Sequence, residues 1–319
     1  MPAPEQTPER AEVLADVAEM YFLGNLTQAE ISQRVGVTRS MVSRMLSDAR
    51  SMGIVEFRIH RTVRLDRELS NALAARFRLH AASVVAAGRQ DHERLLQQLG
   101  RACAEILATY LKPGMVLGLA WGTAVSATVR AMEGAAPLPS LRIVQLIGAL
   151  GSRIEDYDGH ALVRALEAKF GGVGYYINAP YLVDSPKTAS DLIRNKPIAE
   201  TLALARKCDV ALLGVGSVEP PRSSFYRAGY VTLRELKALR REGAVGDVCG
   251  LHFDSAGRPC GEDLRRRLVG ISESALRGVP VRVGVAGGAG KVEVVRAALL
   301  GGYINVLVTD HAVASALVM

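Results

Sequence analysis

Apolar side chains at positions 13, 14, 17, 20, 21 and 23 recur at the spacing of one buried helix face and predict a helix over 9–23. Thr27 followed by Glu30 forms a capping box that opens a second helix. Ile31 and Val35 supply its inner face, and Gly36 ends it. Thr38 then caps a third helix, with Val42, Met45, Leu46 and Ala49 as the buried stripe. Arg39, Ser40, Ser43, Arg44 and Ser47 fall on its opposite face. Gly53 stops this helix, and the alternating "IVEFRIH" (54–60) predicts a strand. Two short helices around a tight glycine turn, the second with Arg and Ser on its free face, predict a helix-turn-helix domain over residues 1–60. Arginine pairs bidentately with guanine in the major groove, and small hydroxyl side chains permit close approach. Thr38, at the helix N-terminus, is placed to hold a phosphate. The bland alternative is a solvated helical hairpin with ordinary surface arginines.

Beyond residue 60 the pattern changes. "LDRELSNALAARFRLH" (65–80) reads as an amphipathic helix. Short apolar runs follow at 81–87, 115–120, 142–147, 209–215, 280–286 and 304–309. Helical periodicity fits 92–111, 122–133, 159–170, 196–207, 232–241, 289–300 and 310–318. This alternation predicts an α/β domain over 61–319, a doubly wound, mostly parallel sheet with helices on both faces. Ligands in such sheets bind outside the carboxyl ends of the strands.

Charge sharpens the division. The 319 residues carry a net charge of +7, with 49% hydrophobic and 22% charged residues, ordinary for a globular protein. Residues 1–33 hold one Arg against six acids, whereas 34–64 hold seven Arg against two acids. A concentrated basic surface of that kind suits a polyanionic partner. The longest uncharged stretch, 113–129, is too short and too punctuated by Pro and Gly to span a membrane. The first residues lack the basic-then-apolar order of a secretory signal. Cys103, Cys208, Cys249 and Cys260 form no C-x-x-C pair, which favours a reduced cytoplasm.

Candidate chemistry gathers at the strand ends. "AGGAGK" (286–291) resembles a nucleotide loop but fails as one, because Val285 replaces the first glycine and Val292 the metal-binding hydroxyl. Gly287, Gly288 and Gly290 still allow backbone N–H groups to approach an anion at the start of a helix, with Lys291 beside them. A plain glycine turn packing a strand on a helix fits these residues equally well. "WGTAVSA" offers the hydroxyls of Thr123 and Ser126, and "GVGSVEP" a second glycine-rich turn. Asp247, in "GAVGDVCGLHFD", is either an acceptor for sugar hydroxyls or a turn cap. Asp310-His311 reads best as a cap on the last helix, and His252 as structural. Tyr157, Tyr175, Tyr176 and Tyr181 line a pocket or fill the core. No catalytic nucleophile motif and no metal-ligand spacing stands out.

The combination resembles, over nearly the whole chain, the SorC family of sugar-responsive bacterial transcriptional regulators. "AEISQRVGVTRSMVSRMLSDARSMGIVEFRI" is similar to that family's DNA-binding motif. "LGLAWGTAVSA", "CDVALLGVGS", "GAVGDVCGLHFDSAGRPC" and "ISESALRGVPVRVGVAGGAGKVEVVRAALLGGYINVLVTD" follow in the family's order. The resemblance implies an effector domain of the NagB/RpiA/CoA-transferase-like type, related to sugar-phosphate isomerases and deaminases but retained for binding. It further implies a sugar, polyol or phosphosugar effector and a homodimer or homotetramer on palindromic operator DNA. Carried over, Thr123 and Lys291 meet the effector's phosphate, Asp247 its hydroxyls, and Gly287 and Gly288 supply backbone. With Gly122 and Ser126 these residues make the expected effector set, and Thr38, Arg39, Ser40, Ser43 and Arg44 the DNA-reading set. Two departures matter. Ala124 replaces a second Thr, and Ile147 stands where relatives carry Arg or Lys, so a smaller or less charged effector is expected.

The resulting expectation is a cytoplasmic, effector-controlled DNA-binding regulator that needs no cofactor or metal. A sugar-phosphate isomerase or deaminase with an appended DNA-binding module is the rival.

Overall fold

The computed structural model describes residues 8–57, 62–86, 88, 91–132, 136–149 and 157–319. The chain divides into two compact units, Met1–Thr62 and Val63–Met319.

In the first unit, α1 (Pro8–Phe22), α2 (Gln28–Val35) and α3 (Arg39–Ser51) surround a core of Leu14, Val17, Ala18, Ile31, Val42, Leu46 and Ala49. The capping box forms as the residues require: Glu30 N donates to Thr27 Oγ1 at 3.3 Å, and Thr27 N donates to Glu30 Oε2 at 2.8 Å. Gly36 closes α2 with φ +71°, a left-handed conformation that a side chain would strain. Met41 N donates to the Thr38 hydroxyl, which caps α3. An ion pair from Arg10 to Asp48, 2.9 Å long, fastens α1 to α3. Met45, expected in the buried stripe, is only partly covered. The expected strand 54–60 does not form at Ile54–Phe57, and its remaining residues lie outside the described residues. Alternation alone does not make a strand, which needs a neighbour to pair its backbone.

The second unit opens with α4 (Arg67–Phe77), β1 (Ala81–Val85), α5 (His92–Tyr110), β2 (Val116–Leu119), α6 (Thr123–Ala131), β3 (Arg142–Gln145), α7 (Gly159–Phe170) and β4 (Val173–Tyr175). Next come α8 (Pro186–Arg194), α9 (Lys196–Ala205), β5 (Val210–Gly214), β6 (Gly216–Ser217), a 3-10 turn at Pro220–Arg222, α10 (Ser224–Arg227) and α11 (Leu233–Arg241). β7 (Ala244–Val248), β8 (Leu251–Asp254), α12 (Glu262–Arg265), α13 (Glu273–Gly278), β9 (Val281–Val285), α14 (Val292–Leu300), β10 (Val306–Asp310) and α15 (His311–Val318) complete it.

Seven described strands form one wholly parallel sheet in the order β1-β10-β9-β5-β2-β3-β4. β2 and β10 are buried at every position, so both sheet faces are covered, as parallel sheets require. From β2 the chain winds outward through β3 to β4, and from β5 it winds the other way through β9 to β10. The reversal falls between β2 and β5, which pair directly from Leu117↔Val210 to Leu119↔Leu212. A crevice opens at such a switch point because the connections leave it on opposite sides. A small antiparallel sheet, β6-β7-β8, stands beside these strand ends. The pattern of apolar runs missed the three strands of this small sheet and β4; β4 and β6 have only three and two residues and no room for a period.

Candidate functional site

Every DNA-reading candidate on α3 is exposed: Thr38, Arg39, Ser40, Ser43 and Arg44. Their shared face follows from the opposite stripe, where Val42, Leu46 and Ala49 sink into the core. Thr38 and Ser40 share a hydroxyl hydrogen bond of 3.0 Å, so the first turn of α3 is held by its own side chains.

At the switch point of the second unit lies a cavity of about 410 Å³. Strand ends and the turns that follow them supply most of its wall. The end of β2 brings Trp121, Gly122 and Thr123, and the passage from β5 into β6 brings Gly214, Val215 and Gly216. From the end of β9 come Gly287, Gly288 and Lys291, and Asp247 reaches it from β7. Gly122, Thr123, Asp247, Gly287, Gly288 and Lys291, drawn from across the chain, therefore share one lining. Ser126 does not join them: it is buried and outside the lining, one helical turn deeper in α6. A second correction concerns Gly288. Its backbone N–H donates to Asp310 Oδ2 at 2.9 Å, so in this conformation it is not free to hold an anion.

Asp247 has two roles in the geometry. Its Oδ2 accepts from Gly250 N at 3.0 Å, capping the β7–β8 turn, and the residue also lines the cavity. Burial pushes its carboxyl above the ordinary range, against the opposing pull of His252, the Gly250 amide and Lys291. His252, opposite Asp247 in the hairpin register, is buried, and burial lowers its pKa. Lys291 Nζ donates to the Val215 carbonyl at 2.7 Å. Burial lowers its pKa, Asp247 pulls it back, and Arg222 and Arg227 push it down again. Arg222 and Arg227 therefore lie within electrostatic reach of Lys291.

Arg222 and Arg227 were absent from the sequence-based set. They arrive on the 3-10 turn and α10, with Ser224 and Phe225 on the same wall. The Arg222 guanidinium lies over Gly290, where a Cβ would collide with it, and pairs with Glu219 at 2.6 Å. The available signal was two arginines in "EPPRSSFYRAGY", directly after a glycine-rich strand end. Trp121 and Phe225 meet edge to face, 4.9 Å between centroids, and Tyr181 stacks behind Phe225 at 4.6 Å. Of the four tyrosines considered, none lines this cavity; Tyr181 is fully buried behind its aromatic wall. Asp310 caps α15 by accepting from Val313 N at 3.0 Å, as its position before the last helix suggested.

A basic helix-turn-helix joined to a parallel sheet with a cavity bearing charged residues at its switch point defines a class, that of ligand-responsive DNA-binding regulators. Comparison with known proteins gives the family. A sugar-binding domain model matches residues 61–319, and a Crp-like helix-turn-helix model matches 11–69. The transcriptional regulator LsrR of Escherichia coli (strain SMS-3-5 / SECEC) is 34% identical over 96% of this chain and 94% of that protein. The deoxyribonucleoside regulator of Bacillus subtilis (strain 168) is 29% identical over 97% of this chain and 98% of its own. Among solved structures, the full-length sorbitol operon regulator SorC from Klebsiella pneumoniae superposes with TM-score 0.73 at 25% identity, covering 98% of this chain and all of that one. The chain belongs to the SorC family of sugar-binding transcriptional regulators. No helix among the described residues is long and apolar enough to cross a membrane.

Proposed function

We propose that this regulator changes its operator affinity when an anionic sugar or polyol, most simply a phosphosugar, fills the switch-point cavity. One observation carries the reading. Lys291, Arg222 and Arg227 line the same cavity as Asp247, and Lys291 is within electrostatic reach of both arginines and of that carboxylate. An anionic group satisfies the cations, and hydroxyls donate to Asp247. The two arginines make up for the cation absent at Ile147 and the hydroxyl absent at Ala124, both of which also line the cavity. This charge favours a phosphorylated effector over the less charged one expected from those two positions alone. The names of the relatives, a sorbitol operon regulator and a deoxyribonucleoside regulator, agree with a polyhydroxylated compound.

Under this reading residues 1–60 bind operator DNA and residues 61–319 bind effector and form the homodimer or homotetramer. Thr38 orients α3 at a phosphate, while Arg39, Ser40, Ser43 and Arg44 reach base edges. Gly122 and Thr123 sit at the phosphate pole, and Gly287 shapes the loop beside it. The protein acts in the cytoplasm, without cofactor or metal, and binds its effector without converting it.

A thermal-shift screen over sugars, polyols and their phosphates tests this. A shared rise among phosphorylated compounds supports the anion site. A response confined to neutral sugars refutes it. Turnover of a phosphosugar that Asp247→Asn abolishes would establish an enzyme instead.

A further inference from the structure

The glycine loop of the cavity is joined to the helix that begins just after the DNA-binding unit by hydrogen bonds on either side of the Asp310–His311 peptide link. Asp310, nearly buried between β10 and α15, divides its carboxylate between two tasks. Oδ2 accepts from Gly288 N–H at 2.9 Å, and Oδ1 accepts from Val313 N–H at 3.0 Å as the cap of α15. The next residue, His311, places Nδ1 3.2 Å from Asp66 Oδ2. A carboxylate only accepts, so this nitrogen donates. Asp66 in turn caps α4, accepting from Leu69 N–H at 3.1 Å. At the far end of the same helix pair, Arg76 Nη1 donates to the Val318 carbonyl at 2.7 Å. α15 therefore holds α4 at both ends, and Asp310 holds α15 to the cavity loop.

We propose that Asp310 is a positioning residue that carries the effector signal, through the His311–Asp66 bond, to the start of α4. The inference rests on the anionic effector of the preceding section. Gly288 N–H has two competing acceptors, Asp310 and an anionic oxygen arriving beside Lys291, and one N–H cannot fully satisfy both. The loop therefore has two arrangements, and the effector favours the one in which Gly288 leaves Asp310. Like-charge repulsion between the anion and the Asp310 carboxylate acts in the same direction. Release of Gly288 lets Asp310 and the first turn of α15 reorient, and His311 passes the change to Asp66. A two-state contact of this kind is what coupling between sites requires.

Two measurements on the full chain test it, with His311→Ala as the main variant and His311→Asn, which restores a donor near the Nδ1 position, as its rescue. The His311 side chain is 42% exposed, so neither change empties the core. The first needs no effector. By amide hydrogen exchange, His311→Ala speeds exchange several-fold both in the first turn of α4 and at Gly288, and His311→Asn reverses both. Acceleration confined to α4 overturns the relay. The second measures how far ribose 5-phosphate, glucose 6-phosphate and sorbitol 6-phosphate change affinity for a duplex selected by the wild-type chain from a random pool. His311→Ala binds duplex and phosphosugar as wild type does, but the factor linking them falls toward one. An unchanged factor overturns the relay. If none of these compounds shifts the wild-type melting temperature, the anionic-effector reading fails on its own, and the exchange result still decides whether the relay exists.

Discussion

Gly216 and Asp247 face each other across the β6–β7 pair, so close that a methyl group on Gly216 would collide with Asp247 Oδ1. The absent side chain is what lets the carboxylate sit at the cavity wall. Gly216→Ala is therefore expected to cost about 1–3 kcal/mol, the usual range for overpacking. It also displaces Asp247, so effector affinity falls together with the denaturation midpoint. A variant with wild-type stability and wild-type response would show that the pair tolerates more separation than its geometry implies.

Arg44 is exposed on α3 in the middle of the polar face. Arg44→Ala is expected to lower affinity for a selected operator by about 1–3 kcal/mol and to relax sequence preference. Titrations against the operator and a scrambled duplex measure this. Equal losses on both would assign Arg44 to a phosphate rather than a base.

Arg227 contributes to the cationic pole yet lies outside the motifs that mark the strand ends. Arg227→Ala is expected to weaken binding of a phosphosugar by about 1.5–3 kcal/mol, the range for a hydrogen bond to a charged group. Calorimetry with the phosphorylated and unphosphorylated forms of one sugar isolates the effect. A similar loss for both would place Arg227 beside the sugar ring.

For Lys291 the prediction is a pH dependence. Burial lowers its pKa in the free protein, and a bound anion raises it again. Binding therefore favours the protonated amine, and affinity for a phosphosugar falls as pH rises through the lowered free-state value. Lys291→Ala removes this slope and the effector response, while operator binding persists. Loss of operator binding in a folded variant would assign Lys291 to assembly instead.

The first unit was legible because its rules are local. Thr27, Glu30, Gly36 and Thr38 act on backbone three or four residues away, and α3 follows from a single stripe. The strand expected over 54–60 shows the limit of such reasoning: alternation marks a surface, but pairing needs a partner that the stretch itself does not contain.

The cavity was half legible. Parallel strands end in glycine turns, so Gly122, Thr123, Gly287, Gly288 and Lys291 announced themselves, and Asp247 stood out as a carboxylate in an apolar run. Ser126 was misplaced because one turn of helix separates a cavity wall from a buried contact, and its phase is set by packing. Arg222 and Arg227 escaped notice because they ride on short turns without periodicity.

Taken alone, the sequence determined the three helices of the first unit, the longer strands and helices of the second, and where the basic face lies, since these depend on neighbours along the chain. Only the tertiary structure decided which strand ends meet, that two arginines join Lys291, and that the Gly288 amide belongs to Asp310. Those outcomes depend on contacts between residues far apart in sequence, whose partners are chosen by strand order and packing.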